Sequence, residues 1–343
     1  MHYKNNKKVV LLLAFLLLIV ILAGCKNSQT KGAKSEQAFT GTQGLVVNFL
    51  PNNPPDKLIA DSNQVEIPIL IEVRNRGTYP APDKSERWSE NDVIFLSGFD
   101  PKLIPNWRVD NKDSGEENPK ISLSLKSLEG KNILNPEGGY DSAEFVGSLD
   151  ISNLKIDRYK PSFLVTACYN YVTRATPTVC IDPNPFSLTK EKKICDVKAV
   201  SLTNQGAPVA VTRIEEEILR NSFNFKIYFK NVGGGDVIAV DKLNRCAPAP
   251  SSEKLDRKDI DLVKIVDVKL SDESIKDSCK PVAEVDGSRD YARLFNNEGF
   301  IVCSAPKREE IKTAFTTPLS VELLYGYRNS ISKTVEIINV PTG

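Results

Sequence analysis

Hydrophobic and polar residues alternate along most of the chain after its first forty positions. Within residues 64–74, an apolar side chain occupies every second position, and residues 223–230 repeat the pattern with three phenylalanines and an isoleucine. A period of two places the apolar side chains on one face of a β-strand. Both segments are therefore predicted to be strands with one buried face.

Short segments of this kind recur to the end of the chain, separated by turns rich in proline, glycine and asparagine. About seven strands in each half are typical of a β-sandwich of the immunoglobulin type. Residues 213–220 are the one candidate for a short helical turn, because Ile214, Ile218 and Leu219 would lie on one face. We predict an all-β fold of two tandem immunoglobulin-like β-sandwiches.

The two halves match each other at a constant spacing of 156 positions. Asn75-Arg76-Gly77 matches Asn231-Val232-Gly233, Tyr169 and Tyr171 match Tyr325 and Tyr327, and Phe145-Val146-Gly147-Ser148 matches Ile301-Val302-Cys303-Ser304. Separated matches at one spacing predict a tandem repeat, with domains at residues 44–190 and 195–341. The register between the matches indicates insertions at residues 78–91 and about 243–258, and inserted surface loops often carry recognition.

The start of the chain has a different pattern. Three lysines within the first eight residues precede the apolar run Val9–Leu22, and two small residues, Ala23 and Gly24, follow it. This order is typical of a secretory signal peptide, here residues 1–24. A membrane-spanning helix needs about 20 apolar residues. Because this run is shorter, a retained membrane helix is the alternative interpretation.

Leu22-Ala23-Gly24-Cys25 resembles the lipobox of microbial membrane lipoproteins. The resemblance implies that Cys25 becomes the N-terminus and carries lipid, which would anchor the protein to the extracytoplasmic face of the cell membrane. Residues 25–43 contain scarcely an apolar side chain, so we expect a flexible tether there. A secreted protein without lipid, in which Cys25 is incidental, is the alternative.

Composition argues against several classes of function. The chain has 45 basic and 44 acidic residues, interleaved along the sequence, so we expect no nucleic-acid partner. The single histidine, His2, leaves with the signal peptide, and catalytic triads and His-ligated metal sites need an imidazole. Acidic clusters around Gly115 and at residues 286–290 lack the spacing of a calcium loop, so solvated turns are expected there. We predict no catalytic residue, cofactor or metal.

Six cysteines remain once Cys25 is assigned to lipid: Cys168, Cys180, Cys195, Cys246, Cys279 and Cys303. An even number outside the cytoplasm predicts three disulfides. Cys168 and Cys180 flank the final hairpin of the first copy, so we expect these two to pair. The other four allow three connectivities, among which the sequence does not choose.

Two tryptophans, Trp88 and Trp107, lie in loop-like sequence. Aromatic side chains in loops can stack on a sugar or anchor a protein partner, so both are candidate binding residues. The alternative is a loop pinned to its own sandwich. The four tyrosines of the repeat share one face in each copy, for which sheet packing is expected rather than a binding platform.

A strand that ends in Asn-x-Gly, in a chain with a lipobox, is similar to CARDB-like and other immunoglobulin-like modules of microbial cell-surface proteins. The resemblance implies a non-enzymatic binding, adhesion or envelope-scaffold role, with an envelope or surface protein or a glycan as partner. One alternative is a solute-binding lipoprotein of a transporter, although no strand-helix alternation is seen. Another is a polysaccharide hydrolase that uses only two carboxylates.

Overall fold

The alternating segments form strands, as the period of two predicts. The computed structural model describes residues 40–60, 64–79, 92–110, 112–113, 121–124, 128–150, 157–185, 187, 193–247, 254–308 and 310–340. The predicted signal segment 1–24, the lipid site Cys25 and the candidate binding residue Trp88 lie outside these residues.

Each copy of the repeat contributes eleven strands within the described residues. Those of the first copy are β1 (Leu45–Phe49), β2 (Lys57–Ala60), β3 (Gln64–Asn75), β4 (Val93–Ser97), β5 (Asn106–Val109), β6 (Lys112–Asp113), β7 (Ile121–Ser124), β8 (Tyr140–Asp150), β9 (Arg158–Tyr159), β10 (Ser162–Ala175) and β11 (Thr178–Ile181). Those of the second are β12 (Val200–Ser201), β13 (Val209–Ile218), β14 (Ser222–Asn231), β15 (Asp236–Ile238), β16 (Leu262–Leu270), β17 (Glu273–Ser274), β18 (Ala283–Val285), β19 (Ser288–Arg293), β20 (Glu298–Pro306), β21 (Phe315–Thr334) and β22 (Glu336–Asn339).

Helices are short and few in the part of the chain that the structure describes. They are single 3₁₀ segments at Val240–Arg245, Arg257–Asp259 and Lys276–Ser278. None of the helices in these ranges has the length and apolar character needed to cross a bilayer. The helical turn considered at residues 213–220 is wrong, because β13 extends to Ile218 and pairs with β14 as far as that residue. The all-β prediction is confirmed.

The strands form four sheets that share one large hydrophobic cluster, beside which two smaller clusters lie. The strand orders are β1-β3-β8-β5-β6, β12-β13-β14-β20, β18-β19-β16-β21-β10-β4-β7 and β2-β22-β9, with β11 and β15 on β21 and β17 on β16. The pairs are antiparallel except for β2 with β22. Buried residues of all four sheets, such as Leu45, Phe225, Tyr325 and Ile337, belong to the same cluster.

The longest strands of the two copies pair with each other at the centre of the molecule. Asn170 of β10 lies opposite Gly326 of β21, which is its own counterpart 156 positions on. On either side, Tyr169 faces Tyr327 and Tyr171 faces Tyr325, so each tyrosine faces the counterpart of its neighbour. This register relates the two strands by a local two-fold axis through the Asn170–Gly326 pair.

The same symmetry relates the last strands of the two copies, β11 and β22, each of which pairs with a strand of the other copy. Ile181 of β11 pairs with Phe315 of β21, and the counterpart Ile337 of β22 pairs with Tyr159 of β9. Each copy therefore completes its final hairpin on a strand of the other copy. The two predicted domains share a sheet, and residues 39–343 form one compact unit.

One of the three sequence matches is displaced by two positions in the structure. Phe145 pairs with Ile69, and the residue that pairs with the counterpart of Ile69, Phe225, is Cys303 rather than Ile301. A shift of two keeps the same face buried, which is why the pattern of apolar residues did not reveal it.

A buried asparagine closes the end of β3. Asn75 Oδ1 accepts hydrogen bonds from Tyr171 Oη and Gly77 N, both at 3.1 Å. Its Nδ2 donates to the carbonyl oxygens of Tyr79 and Leu128, both at 2.9 Å. The Asn-x-Gly turn is thus tied to a tyrosine almost a hundred residues later.

The second copy repeats this arrangement at Asn231. Its Oδ1 accepts from Tyr327 Oη at 3.1 Å and from Gly233 N at 3.3 Å. Its Nδ2 donates to Gly235 O at 2.7 Å and to Asn297 Oδ1 at 3.3 Å. The repeat therefore extends to individual hydrogen bonds.

Three disulfides are present, but the predicted Cys168–Cys180 pair is wrong. Cys168 bonds to Cys246, Cys180 to Cys195, and Cys279 to Cys303. The error came from treating each copy as self-contained. Cys168 lies on β10 in the shared sheet, where the segment after β15 brings Cys246 to it. The first two disulfides therefore join the copies.

The fold also begins earlier than the boundary at Gly44. Lys131 Nζ donates to Thr40 O at 2.8 Å, and Gly206 N donates to Gly41 O at 3.0 Å. These contacts place Thr40 and Gly41, assigned to the 25–43 tether from the sequence, within the folded part.

Candidate functional site

Neither predicted tryptophan provides a binding surface in the described part of the chain. Trp88 lies outside it. Trp107 is only 5% exposed, its Nε1 donates to Ile104 O at 3.2 Å, and its ring centroid lies 4.9 Å from that of Phe99. It faces Gly147 on the next strand, and a Cβ at Gly147 would come within 2.7 Å of the ring. Trp107 is thus a core residue, which corrects its assignment as a binding residue.

Of the other residues considered from the sequence, the tyrosines and the cluster at residues 286–290 are accounted for by packing or ion pairs, whereas the acidic cluster around Gly115 lies outside the described residues except for Asp110 and Asp113. Tyr169, Tyr171, Tyr325 and Tyr327 are all buried, so the prediction of sheet packing is confirmed. Asp286 accepts both hydrogen bonds of its ion pair from Lys242 Nζ, and Asp290 lies 3.4 Å from Lys276 Nζ. Over the described ranges, no cluster of three potential metal-binding side chains is found.

A mainly apolar cavity on the described surface lies beside β20, and we call it the Phe300 groove. Its volume is about 550 Å³, and it is lined by Tyr228, Pro281, Val282, Ala283, Arg293, Phe295, Glu298, Gly299 and Phe300. Phe295 is 72% exposed, Phe300 42% and Val282 39%. Three large apolar side chains thus meet solvent around one depression.

A tight turn presents Phe295 at one end of the groove. Asn296 and Asn297 have φ of 52° and 66°, the left-handed conformation that a two-residue hairpin turn requires. Phe295 N donates to Glu298 O at 2.7 Å, and Glu298 N donates back to Phe295 O at 3.1 Å. Asparagine tolerates this backbone better than other side-chain-bearing residues, so the sequence holds Phe295 in an exposed position.

A disulfide fixes the opposite wall. Cys279 is bonded to Cys303 of β20, and the next residue, Lys280, exchanges both backbone hydrogen bonds with Val302. The chain then runs through Pro281 and Val282 into β18, where Ala283 pairs with Tyr291 of β19. The wall is therefore held at both ends.

The floor carries an aromatic pair under a lysine. The ring centroids of Tyr228 and Phe300 are 6.0 Å apart, and Lys226 Nζ lies 4.3 Å from the centroid of Phe300 and 5.0 Å from that of Tyr228. Tyr228 Oη donates to Glu215 Oε2 at 2.7 Å. Cation–π contacts at exposed sites contribute about 0.5–1 kcal/mol each.

The charged groups of the groove are engaged within the protein. Arg293 donates to the carbonyl oxygens of Ile260 at 3.1 Å and Lys258 at 3.0 Å. Glu298 Oε1 accepts from Lys230 Nζ at 2.8 Å. Recognition in the groove must therefore rest mainly on apolar contact and on backbone groups.

Sequence reasoning missed this groove. Its aromatic residues lie on regular strands and on a two-residue turn, so their alternation resembles that of any half-buried strand. The Asn296-Asn297 turn was the one available signal, since it forces the preceding Phe295 to the tip of a hairpin.

Glu216 and Asp182 are the acidic pair to test against the hydrolase alternative. Burial raises the pKa of Glu216 from 4.5 to about 7, and the charge of Asp182 adds to the effect. Asp182 itself accepts from Lys193 Nζ at 2.6 Å. The neighbouring cavity of about 430 Å³ is lined by other residues, Asn184 and Arg220 among them, and neither carboxyl group is part of its wall. This arrangement gives no support for a cleavage site.

Comparison with protein-family models and with curated proteins finds no match. Among solved structures, the chain has a weak likeness to the collagen-binding domain of the surface protein RspB from Erysipelothrix rhusiopathiae. The two are 10% identical, and the match covers 86% of this chain and 97% of that one. The TM-score is 0.11, which is too low to support a common fold or function.

Proposed function

We propose that the protein is a non-enzymatic binding module held at the extracytoplasmic face of a cell membrane by lipid on Cys25. Its Phe300 groove would capture a surface or envelope protein or a glycan. The observation that carries this proposal is the exposure of Phe295, Phe300 and Val282 around one rigid depression. Contiguous exposed apolar groups in a soluble fold commonly mark an interaction site.

The location rests on the cysteines and on the start of the sequence. Cys168, Cys180, Cys195, Cys246, Cys279 and Cys303 are all oxidised to disulfides, which is typical of proteins outside the cytoplasm. The basic, apolar and small-residue order of residues 1–24 supports export, and the position of Cys25 supports lipid attachment.

A binding role is favoured over the two alternatives considered. The solute-binding interpretation draws no support from this fold, because such receptors are usually built from lobes that alternate strands and helices. A carboxylate hydrolase needs two acidic groups across a cleft, and Glu298 is the one carboxylate among the described residues that line the Phe300 groove.

Capture from intact cells tests the role of the groove. Wild-type protein, the double variant Phe295→Ala/Phe300→Ala and the control Leu134→Ala would be crosslinked, purified and analysed by mass spectrometry and glycan analysis. Leu134 is 95% exposed but lies on a different turn. We expect a partner that is recovered with wild type and the control and lost with the double variant. Equal recovery with all three would contradict the proposal, and recovery of a permease would favour the solute-binding alternative.

Lipid attachment is tested separately. Cells fed an alkyne-labelled fatty acid should label the wild-type protein, and the label and the membrane fraction should both be lost in Cys25→Ser. A Cys25→Ser protein that has lost residues 1–24 and still fractionates with membranes would contradict the lipid anchor.

A further inference from the structure

Three residues of β20 have hydrogen-bond partners on its outer edge, the edge that faces away from β14. Glu298 exchanges both backbone bonds with Phe295, and Val302 exchanges both with Lys280. Ser304 N donates outward to Ser278 Oγ at 2.7 Å. Phe300 lies between these positions, and no residue in the described ranges pairs with it on this side.

Strand geometry fixes where the backbone groups of Phe300 point. In an antiparallel strand, the N–H and C=O of alternate residues face alternate neighbours. Glu298 and Val302 bond outward, so Phe300 must do the same, whereas Gly299 and Ile301 bond inward to β14. One donor and one acceptor of Phe300 therefore face the Phe300 groove.

The ladder is interrupted on both sides of Phe300. The register of Lys280 on Val302 would bring Val282 opposite Phe300, but no bridge joins these two residues in the described ranges. On the other side, the hairpin turn leads from β19 into β20, and β19 pairs with β16 and β18 instead of with β20. The interval from Glu298 to Val302 spans about 13 Å at 3.3 Å per residue. Because Phe295 and Lys280 already occupy the two ends of this interval, a partner segment can pair with Phe300 alone and must leave the edge on either side.

We propose that the occupant of the Phe300 groove is an extended peptide segment of a partner protein, which pairs its backbone with Phe300 and packs an apolar side chain between Phe295 and Val282. A peptide supplies the required acceptor and donor on the same residue, as a strand added to a sheet edge does. This inference rests on the proposed function and specifies its partner as protein rather than glycan.

Peptide selection provides the probe. The mature protein, residues 25–343, would be used to select from a display library of linear seven-residue peptides, and the winning peptide would be synthesised. Its affinity would be measured for wild type, Phe300→Ala and Phe300→Pro. Alanine removes only the ring, while proline removes the ring and the outward N–H. The inward bonds to β14 belong to Gly299 and Ile301 and are kept.

Phe300→Pro is expected to bind the peptide about tenfold more weakly than Phe300→Ala, the value of one hydrogen bond of about 1.4 kcal/mol. Equal binding by the two variants would overturn the backbone-pairing proposal. Slow amide exchange at Gly299 and Ile301 in Phe300→Pro would show that the β14–β20 ladder is intact.

Amide exchange in the wild-type protein gives a second measurement that needs no variant. The Phe300 N–H should exchange much faster than those of Glu298 and Val302, and it should slow when the selected peptide is added. N-methylation of the central amide of the peptide should abolish that slowing. Protection of Phe300 without peptide, or slowing that survives N-methylation, would overturn the inference.

Different results would contradict the peptide inference and the proposed binding function. If a glycan array gives binding that is lost in Phe295→Ala/Phe300→Ala while no selected peptide depends on the groove, the peptide inference is wrong and the binding function stands. If neither peptides, glycans nor crosslinked partners depend on Phe295 and Phe300, both are wrong.

Discussion

At the scale of single residues, two asparagines do more than terminate strands. Asn75 is fully buried and satisfies two backbone carbonyls, one N–H and the hydroxyl of Tyr171. An alanine would leave the two carbonyls and the N–H without this partner in a site that water does not reach, whereas Tyr171 Oη would keep Gly206 O at 3.5 Å. Leaving buried polar groups unpaired costs about 1–3 kcal/mol each in unfavourable cases.

We therefore predict that Asn75→Ala lowers the free energy of unfolding by about 2–4 kcal/mol. Asn231→Ala should cost less, because Asn231 is 9% exposed and water can replace part of its network. Urea denaturation measures both, with the exposed Asn48→Ala as a control that should change stability by less than about 0.5 kcal/mol. A larger loss for Asn231 than for Asn75 would contradict this ranking.

A buried carboxyl group near the two-fold axis makes stability depend on pH. Asp92 is 5% exposed and accepts from Asn170 N at 2.9 Å. Burial raises the pKa of Asp92 from 3.8 to about 7, and the bond from Asn170 N–H opposes the rise. Between pH 4 and 7 the folded state holds a proton that the unfolded state has lost, so the contribution of Asp92 to stability falls as pH rises through this window.

The substitution Asp92→Asn keeps an oxygen acceptor for Asn170 and removes the titration. The stability of Asp92→Asn relative to wild type should therefore increase between about pH 4 and pH 7 and then level off. Urea unfolding of both proteins across this range measures the difference. A difference that does not change with pH would show that Asp92 titrates normally in the folded protein.

The residue scale also shows what the sequence could and could not predict. The tyrosines at 169 and 171 and their counterparts were correctly expected in the sheet, because residues two apart share a face. The bond from Tyr171 to Asn75 was not predictable, since it joins residues 96 positions apart. Trp107 was misassigned because its short strand β5 has too few residues to show alternation.

At the scale of elements, strand existence was predictable and strand partners were not. The apolar alternation of β3 and β14 determines which face is buried, but it does not predict which strand lies next to each of them. The cysteine pairing failed for this reason, since Cys168 and Cys180 flank one hairpin in sequence but bond to residues of the second copy. The Phe300 groove likewise lies where one residue of β20 has no partner on its outer edge, and a missing partner leaves no periodic pattern in the sequence.

The three disulfides differ in exposure, which predicts their order of reduction. Cys195 is partly exposed and Cys180 is 8% exposed, whereas Cys168, Cys246, Cys279 and Cys303 are nearly or fully buried. A thiolate must reach a disulfide sulfur to open it. Mild reduction of the folded protein followed by alkylation and mass spectrometry should therefore label Cys180 and Cys195 first. Equal early labelling of Cys168 and Cys246 would contradict this, and in denaturant all six should react alike.

At the scale of the whole molecule, the repeat resembles a symmetric dimer joined into one chain. The sequence predicted two copies arranged as tandem sandwiches, and a repeat by itself does not distinguish separate copies from copies that share a sheet. The register of β10 on β21 distinguishes the arrangements, because fourteen consecutive residue pairs cross between the copies. β11 and β22 then extend the contact in both directions.

We predict that neither copy folds as a monomer alone. Residues 40–190 by themselves would expose the whole inner edge of β10 and the tyrosine face beside it, and an unpaired strand edge of that length favours association. Each half produced separately should therefore aggregate or form dimers. The two halves exported together should copurify as one complex, linked through Cys168–Cys246 and Cys180–Cys195.

Size-exclusion chromatography with light scattering and non-reducing electrophoresis would measure these outcomes. A full-length protein cleaved at a protease site inserted after residue 190 is the matched control, and it should stay assembled because the crossing pairs do not depend on the covalent link. A half that is monomeric and unfolds cooperatively would contradict the prediction. It would mean that the shared sheet joins two finished domains rather than completing them.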